Sequence, residues 1–509
     1  MNRWSVFTLS FTLALGPMLL WCLASPLGSV PDEPSHAIRA AAVVRGDFAP
    51  QPRDDLPTQA RAEVPRAIAF MHERICYAFQ PEVPASCVAD FVGDPDQIVM
   101  TGTSAGTNHP LYYAIVGLPS LLLNGDAALY GMRALNAILC AAALAVAAVQ
   151  LSLLRATRWT WIALFVAVTP MVLFLAGSIN PNGLEVAASI SLLSALITTF
   201  RASFRKPGLW AQAALVTTST LLLTSTRSIT LLWVLIIVTV ALLLGDRVIL
   251  RRLLHRTAFW TCAAVSALIC VAAVVWNLTL PAYAIQEFAG AGTSAREAFV
   301  TMLLRTFDFT DGYVGLFGWV DTPSPKFSVI VFSAAIVTLA LSALALANRR
   351  TRFVIGGLIV VMLLVPAVTQ AVLAPQLGYI WQGRYMLAML ACLLVVCGVA
   401  LDDALGRHPL PRSLRNATAI SLVLVAVAQT WSFWSTLKRY VVGSNGTIRD
   451  MLLSPAWQPP LGWFALTVLA AVAFAAAAAA LYRCSVRVRQ AALPMGMTSA
   501  NAATTSSQA

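Results

Sequence analysis

Charge is scarce in this sequence. Only 11% of its 509 residues are Asp, Glu, Lys or Arg, and 59% are hydrophobic. A soluble chain of this size carries roughly twice that charged fraction. Apolar runs of about 20 residues, long enough to cross a bilayer, recur along the whole chain. The composition therefore excludes an ordinary soluble protein and predicts an all-α, polytopic membrane protein.

The motifs of several enzyme classes are also absent. The sequence has no Walker A motif, no cluster of Cys and His with zinc-ligand spacing and no G-x-S-x-G elbow. No ATPase and no serine hydrolase is therefore indicated.

The apolar runs predict twelve membrane spans. Their approximate bounds are 5–24, 128–154, 159–178, 183–200, 209–226, 229–245, 257–280, 327–347, 353–373, 386–402, 414–434 and 461–482. The first run is longer than the apolar part of a usual signal peptide, and Pro26 lies close to any cleavage point. We therefore expect an uncleaved first span rather than a removed signal.

The net charge of +12 reflects topology. More than half of the 34 basic residues lie in the segments that would face inward, where the only acids are Asp246, Asp402 and Asp403. This positive-inside asymmetry predicts that both termini are cytoplasmic. No nucleic-acid partner is indicated, because the basic residues are spread over the ends of the spans.

The loops between the spans are uneven in length. The two long ones, at 25–124 and 281–326, fall on the predicted outer side, whereas the inner loops are short and basic. We therefore expect the chemistry at the outer face. Residues 1–489 are predicted to form one transmembrane domain, and 490–509 a disordered cytoplasmic tail.

The first long loop is predicted to contain two helices. Apolar spacing indicates one that starts at Asp32 and Glu33 and stops at Gly46. Residues 109–123 are apolar but short and contain Pro119, which is typical of a helix lying at the membrane interface.

The same loop holds two of the nine cysteines. Cys76 and Cys87 have ten residues between them. An oxidising compartment would let them pair, and we expect a disulfide. The alternative is two free thiols.

The stretch PDEPSH, residues 31–36, places two carboxylates and an imidazole just after the first span. Asp32 or Glu33 would cap the following helix, next to its free N–H groups and positive dipole end. His36, about one turn later, would share their face. One carboxylate suffices for a cap, and the full set also suits a site that accepts a proton or holds a ligand hydroxyl. A capped interfacial helix and a catalytic pair both stay open.

Other candidate substrate-binding residues flank the spans on the same side. In TNHPLYY, His109 begins a helix and Tyr112 and Tyr113 follow it, although tyrosine pairs are also common at membrane interfaces. His109 closes the loop that Asp32 begins, so the two ends could meet.

The stretch SINPNGLE joins the third and fourth spans. Asn180 and Asn182 form a turn by composition. Glu185 falls just inside the next span, where an ionisable group is a functional hypothesis and a structural ion pair is the competing one. Arg227 is a candidate partner for such a pair.

The stretch GYIWQGRYML brings the chain back into the membrane late in the sequence. Its Arg384 and Tyr385 suit an anionic headgroup, because a guanidinium can bind phosphate through two hydrogen bonds. The alternative is a snorkelling arginine with aromatic anchors.

Together these stretches resemble a family of bacterial membrane proteins called domain of unknown function 2142. The resemblance rests on PDEPSH, NHPLYY, SINPNG and QGRY in this order, and it covers roughly residues 1–440. Members often have aspartate where this chain has Asn182, which weakens any acidic role at that position. The family is similar to the GT-C superfamily of membrane glycosyltransferases.

That likeness implies a GT-C-like fold and an inverting glycosyltransferase. Such an enzyme takes a sugar from a polyprenyl-phosphate donor and passes it to a glycan or lipid acceptor of the cell envelope, at the outer face of the plasma membrane. Asp32 or Glu33 would be the base, His36 and His109 would line the site, and Arg384 would hold the donor phosphate. Some GT-C enzymes need a divalent cation and others need no cofactor; the acids here permit a cation without requiring one.

Two other functions fit the sequence less well. Twelve spans are common in transporters and flippases, but matching halves and broken midplane helices are not evident. A non-catalytic assembly protein with the same fold is the other alternative.

Overall fold

The protein is almost entirely helical. The computed structural model describes residues 2–154, 156–281, 283–406 and 410–486, so the predicted tail at 490–509 lies outside the described residues. The helices are α1 Arg3–Ala24, α2 Glu33–Val43, α3 Arg66–Ala69, α4 Pro110–Val116, α5 Gly125–Leu151, α6 Arg158–Ala167, α7 Pro170–Ala176, α8 Pro181–Arg201, α9 Lys206–Thr224, α10 Thr230–Leu244, α11 Arg247–Leu253, α12 Thr257–Thr279, α13 Ala295–Leu304, α14 Thr310–Val314, α15 Lys326–Leu346, α16 Arg349–Leu377, α17 Leu387–Leu405, α18 Arg412–Val442, α19 Ile448–Leu453 and α20 Trp463–Val486.

Short strands occur only in the long loops of the described part. The first loop holds β1 (Ala60–Pro65) and β2 (Ile98–Thr103), which pair antiparallel from Ala60 opposite Thr103 to Pro65 opposite Ile98. The second holds the two-residue strands β3 (Leu316–Phe317) and β4 (Thr322–Pro323). Short 3₁₀ turns lie at Phe70–His72, Ala85–Cys87, Leu118–Leu121, Thr306–Phe309 and Gly383–Met386.

Nine of the described helices are long and apolar enough to cross a membrane, and the number rises to eleven if two bent pairs each count as one span. The sequence predicts twelve. The twelfth is α9, a 19-residue helix without a stretch as long and apolar as those of the other spans. Its Thr217 and Thr220 hydroxyls donate to carbonyls of their own helix, at Ala213 and Val216, so they need no outside partner.

Local chemistry explains both bends. α6 and α7 meet at 65°, where Pro170 offers no N–H and disfavours a helical residue before it. α10 and α11 meet at 118°. There the Asp246 carboxylate accepts hydrogen bonds from Val248 N and Ile249 N and starts a new helix.

The predicted outer segments contact one another at one end of the helix bundle, which we call the loop face. Ala284 N donates to Pro57 O, and Ser444 N donates to Pro81 O. At the opposite end, Arg201 pairs with Asp403. The contacts therefore reproduce the predicted division of segments between two faces, while the orientation in the membrane stays a prediction.

The centre of the bundle is α8 and α17. α8 is buried along its full apolar stretch, and α17 nearly so, whereas α12 is mostly exposed. The start of α8 and the turn before α17 both reach the loop face. The candidate residues of the sequence therefore lie over the middle of the bundle.

The first loop is packed into the protein. Every residue of α2 is buried, and this dense packing uses small side chains: a Cβ at Gly117 would lie 2.3 Å from the Ala40 carbonyl oxygen. The segment after α4 exposes Leu118, Leu121, Leu122 and Leu123, as a contact with the membrane interface requires. A Cys76–Cys87 disulfide closes part of the loop.

Candidate functional site

Asp32 lies at the start of α2 but does not cap it with its side chain. Its backbone is left-handed, with φ 66°, a region that aspartate tolerates better than most residues. The carboxylate makes no hydrogen bond to the N–H groups of the helix. It accepts one from Nη2 of Arg384 instead, at 2.8 Å, and its side chain is 49% exposed. The expectation that the Asp32 side chain caps α2 is therefore wrong, because its carboxylate points away from the helix.

Arg384 is buried beside this carboxylate. Its side chain is only 3% exposed, and its Nε and Nη1 have no hydrogen-bond partner among the described residues. The turn that holds it packs against the second long loop, where a Cβ at Gly383 would lie 2.6 Å from the Phe309 carbonyl oxygen. Glycine is required for that approach. The structure therefore keeps two guanidinium donors buried and unused.

Glu33, the neighbouring carboxylate, has a different environment. It is fully buried and forms a two-point ion pair with Arg133 of α5, at 2.7 Å and 2.6 Å. Gly28 N and Ile179 N each donate to it as well, at 3.0 Å. Four donors occupy the acceptor sites of the carboxylate. The geometry is that of a structural anchor, so the sequence-based expectation of Glu33 as the base receives no support here.

His36 is joined to the far end of the same loop. Its Nδ1 lies 2.8 Å from the hydroxyl of Tyr113, and that hydroxyl accepts a hydrogen bond from Asn108 Nδ2, also at 2.8 Å. Burial lowers the pKa of His36 from 6.5 to about 4, although the nearby Asp32 opposes the shift. The imidazole is therefore neutral at physiological pH, and the His36–Tyr113 contact joins the beginning of the loop to its end.

Arg227 brings a second guanidinium to the cluster, from the turn between α9 and α10. Its Nη1 donates to Asn182 Oδ1 at 3.2 Å and lies 4.0 Å from the Glu185 carboxylate. The guanidinium stands 4.1 Å from the centre of the Tyr385 ring. Arg227 is thus the expected partner of Glu185, and it connects the SINPNGLE and QGRY stretches.

Glu185 is buried at the start of α8. Its Oε1 accepts a hydrogen bond from Trp233 Nε1 at 2.7 Å. Its Oε2 has no hydrogen bond among the described residues and faces Arg227 only at ion-pair distance. The ion pair between Glu185 and Arg227, which was the structural alternative to a functional role, is therefore present. Oε2 of Glu185 remains a free hydrogen-bond acceptor.

The other candidates from the sequence have structural partners. Tyr112 donates to Asn136, and Asn180 donates to the Pro31 carbonyl. His109 begins α4, where its Nδ1 accepts from Leu111 N, and its ring packs edge-on against Trp276. Burial lowers the pKa of His109. No contact described in the structure joins these three side chains to Asp32 or Arg384.

The sequence interpretation missed Arg133 and Asn108. Arg133 lies inside an apolar run, and an ionisable residue at such depth signals a partner or a function. Asn108 carries no comparable signal, because its role depends on a tyrosine that folding brings to it.

The cluster can hold an anion and accept a proton. Asp32 provides a half-exposed carboxylate, Arg384 provides two unused donors, and Arg227 adds positive charge across Tyr385. No group of three or more His, Cys, Asp or Glu side chains converges among the described residues. We therefore identify no set of ligands for a divalent cation among these residues.

Comparisons with known proteins place the chain in a family. Among solved structures it is similar to the crystal structure of ArnT from Cupriavidus metallidurans bound to undecaprenyl phosphate, with 13% identity and a TM-score of 0.43, over 95% of this chain and 77% of that one. No curated protein matches it. The sequence model of the DUF2142 family, described as predicted membrane proteins, matches residues 15–393, and the chain therefore belongs to that family.

Proposed function

We propose that this protein is a membrane glycosyltransferase that moves a sugar from a polyprenyl-phosphate donor to a cell-envelope acceptor. The observation that carries the proposal is the Asp32–Arg384 pair. A half-exposed carboxylate lies 2.8 Å from a buried guanidinium that keeps two nitrogens unpartnered. Arginine matches the geometry of a phosphate, and a carboxylate can take a proton from a hydroxyl.

Arg384 is proposed to bind the donor phosphate through Nε and Nη1. Arg227 would add a second positive charge, since both guanidiniums contact Tyr385. Fixed charge at the phosphate stabilises the negative charge that develops on the leaving oxygen. The phosphate and Asp32 would then both interact with Arg384. Because the guanidinium would stabilise the Asp32 carboxylate less, Asp32 would accept a proton more readily.

Asp32 is proposed to be that base. The acceptor hydroxyl attacks the anomeric carbon as its proton passes to Asp32. The bond between that carbon and the phosphate oxygen breaks, and polyprenyl phosphate leaves with the electron pair. One displacement of this kind inverts the anomeric centre. His36, neutral beside Asp32, is suited to a hydrogen bond with a sugar or acceptor hydroxyl.

The loop face is proposed to be extracytoplasmic, at the plasma membrane, with both termini cytoplasmic. The supporting observation is the concentration of basic residues in the segments of the opposite face. The exposed leucines after α4 would then rest at the outer membrane surface, where a lipid-borne donor presents its headgroup.

The test is transfer of radiolabelled sugar from a panel of polyprenyl-phosphate donors, in membranes of a deletion strain that expresses each variant. Wild type is expected to transfer sugar, and Asp32→Asn is expected to lose about 100-fold or more at equal expression, because a general base is removed. Asp54→Asn, at an exposed aspartate of the same loop, is the matched control and should keep the wild-type rate.

Two results would contradict the proposal. Equal transfer by Asp32→Asn and wild type would remove Asp32 from the chemistry. If wild type transferred sugar from no donor in the panel, the glycosyltransferase proposal itself would fail.

A further inference from the structure

A long apolar groove runs between α18 and α20, away from the Asp32 cluster. Its volume is about 610 Å³, and it extends along α18 from Ala419 to Trp434. Fifteen residues of helix correspond to about 22 Å, most of the roughly 30 Å hydrocarbon thickness of a bilayer. The α20 wall consists largely of alanines, so a trough remains between the two helices.

Apart from the indoles of Trp431 and Trp434 at one end and the hydroxyl of Tyr482 at the other, the groove offers no polar group to an occupant. The hydroxyl of Thr430 donates to the Ala426 carbonyl, and that of Thr467 donates to the Trp463 carbonyl. Both hydroxyls are thus satisfied within their own helices. Since the two helices are membrane spans by length and composition, the surroundings supply hydrocarbon chains to this surface.

One end of the groove is strongly basic. The helices are antiparallel, and the lining ends at Ala419 on α18 and Tyr482 on α20. Arg415 lies about one turn beyond Ala419, and Arg483 follows Tyr482 directly; both are exposed and form no ion pair among the described residues. Arg412 also lies on α18, three residues before Arg415.

No acid forms an ion pair with these arginines among the described residues. Among the described residues of the face opposite the loops, the acids are Asp246, Asp402 and Asp403. Asp246 caps α11, Asp402 accepts from the Thr160 hydroxyl and backbone N, and Asp403 pairs with Arg201. Each of these acids is therefore engaged elsewhere, and Arg415 and Arg483 have no ion-pair partner among the described residues.

We infer that the groove is a binding site for an anionic phospholipid. One acyl chain lies between α18 and α20, and the headgroup phosphate contacts Arg415 and Arg483. The occupant follows from charge complementarity, because an apolar trough that ends in unpaired arginines matches an anionic headgroup joined to a hydrocarbon chain. The inference does not depend on the proposed function.

The test measures lipid retained by the full-length protein. Purified protein in detergent is mixed with equal amounts of phosphatidylglycerol and phosphatidylcholine that carry the same acyl chains, and native mass spectrometry reports what stays bound. Wild type is expected to retain one phosphatidylglycerol in preference to phosphatidylcholine. Arg415→Gln with Arg483→Gln should reduce that retention on the order of tenfold, since each basic residue near a membrane surface contributes about fivefold before screening.

Two control variants separate charge and shape from general damage. Arg251→Gln with Arg349→Gln removes two exposed arginines of the same face and should retain the lipid as wild type does. Ala475→Leu fills the groove and should reduce retention severalfold, whereas Ala476→Leu, outside the lining, should not.

Three outcomes would overturn the inference. The arginine pair variant could bind phosphatidylglycerol as wild type does. Phosphatidylcholine could be retained equally well. The protein could instead appear as a lipid-free dimer, in which case a second copy of the chain covers the groove.

Discussion

Two adjacent carboxylates of this chain have opposite surroundings. Asp32 is half exposed next to Arg384, while Glu33 is enclosed with Arg133 and two backbone N–H groups. The left-handed backbone of Asp32 directs its side chain away from α2. Although Asp32 and Glu33 are adjacent in sequence, their surroundings therefore suit them to different roles.

Glu33→Gln is expected to destabilise the protein by about 3–5 kcal/mol, because Arg133 would keep a buried and uncompensated charge. We expect this loss of stability to appear as a large fall in melting temperature in detergent and as a reduced yield from membranes.

The matched control is Glu63→Gln, which breaks an exposed pair with Arg61 and should cost less than about 1 kcal/mol. If Glu33→Gln had the same melting temperature as wild type, the anchoring role of Glu33 would be wrong.

The sequence predicts which residues belong to the candidate site better than it predicts which of them contact each other. Asp32, His36, Tyr113 and Arg384 are all candidates by local chemistry, and the structure brings them to one end of the bundle. The pairing of Asp32 with Arg384 spans 352 residues. No local pattern encodes such a contact, because it depends on how the spans pack.

At the scale of elements, apolar runs predicted the spans well, and the departures have local causes. Pro170 divides one predicted span, Asp246 starts a helix in a new direction, and α9 is less apolar than a typical span. The burial of α2 on every side was not predictable, because an alanine-rich helix gives no clear polar face and its packing partners are distant in sequence.

The disulfide in the first loop is also an element-scale feature. Replacing Cys76 and Cys87 with serine is expected to cost about 3 kcal/mol, the loop-entropy value for a separation of 11 residues. Arg439 donates to the carbonyls of Tyr77, Gln80 and Val83, so the loop should keep its position at the bundle.

The measurement is melting temperature, with thiol labelling of the denatured, unreduced protein. Cys484→Ser, at an exposed free cysteine, should leave the melting temperature unchanged. Labelling of both Cys76 and Cys87 in unreduced wild type would show two free thiols and contradict the bond.

At the scale of the whole molecule, two central helices carry the candidate site. The start of α8 supplies Asn182 and Glu185, the turn before α17 supplies Arg384, and the first long loop brings Asp32 over both. The buried α17 fixes the turn that holds Arg384, and Asn182 at the start of the buried α8 accepts a hydrogen bond from Arg227. A phosphate carried by a membrane lipid could then meet them at the loop end of the bundle.

Arg384 is proposed to hold a lipid-borne phosphate beside the Asp32 carboxylate. The most direct measurement is the affinity of the purified protein for polyprenyl phosphate, compared among wild type, Arg384→Gln, Arg384→Lys and Arg66→Gln. Arg66 is an exposed arginine of the first loop and serves as the control.

Wild type and Arg66→Gln are expected to bind alike, and Arg384→Gln is expected to bind about 10- to 100-fold more weakly, the value of a charge-assisted hydrogen bond. Arg384→Lys should fall between them, because lysine keeps the charge and loses the two-point geometry. Equal affinity of folded Arg384→Gln and wild type would show that Arg384 does not hold the phosphate.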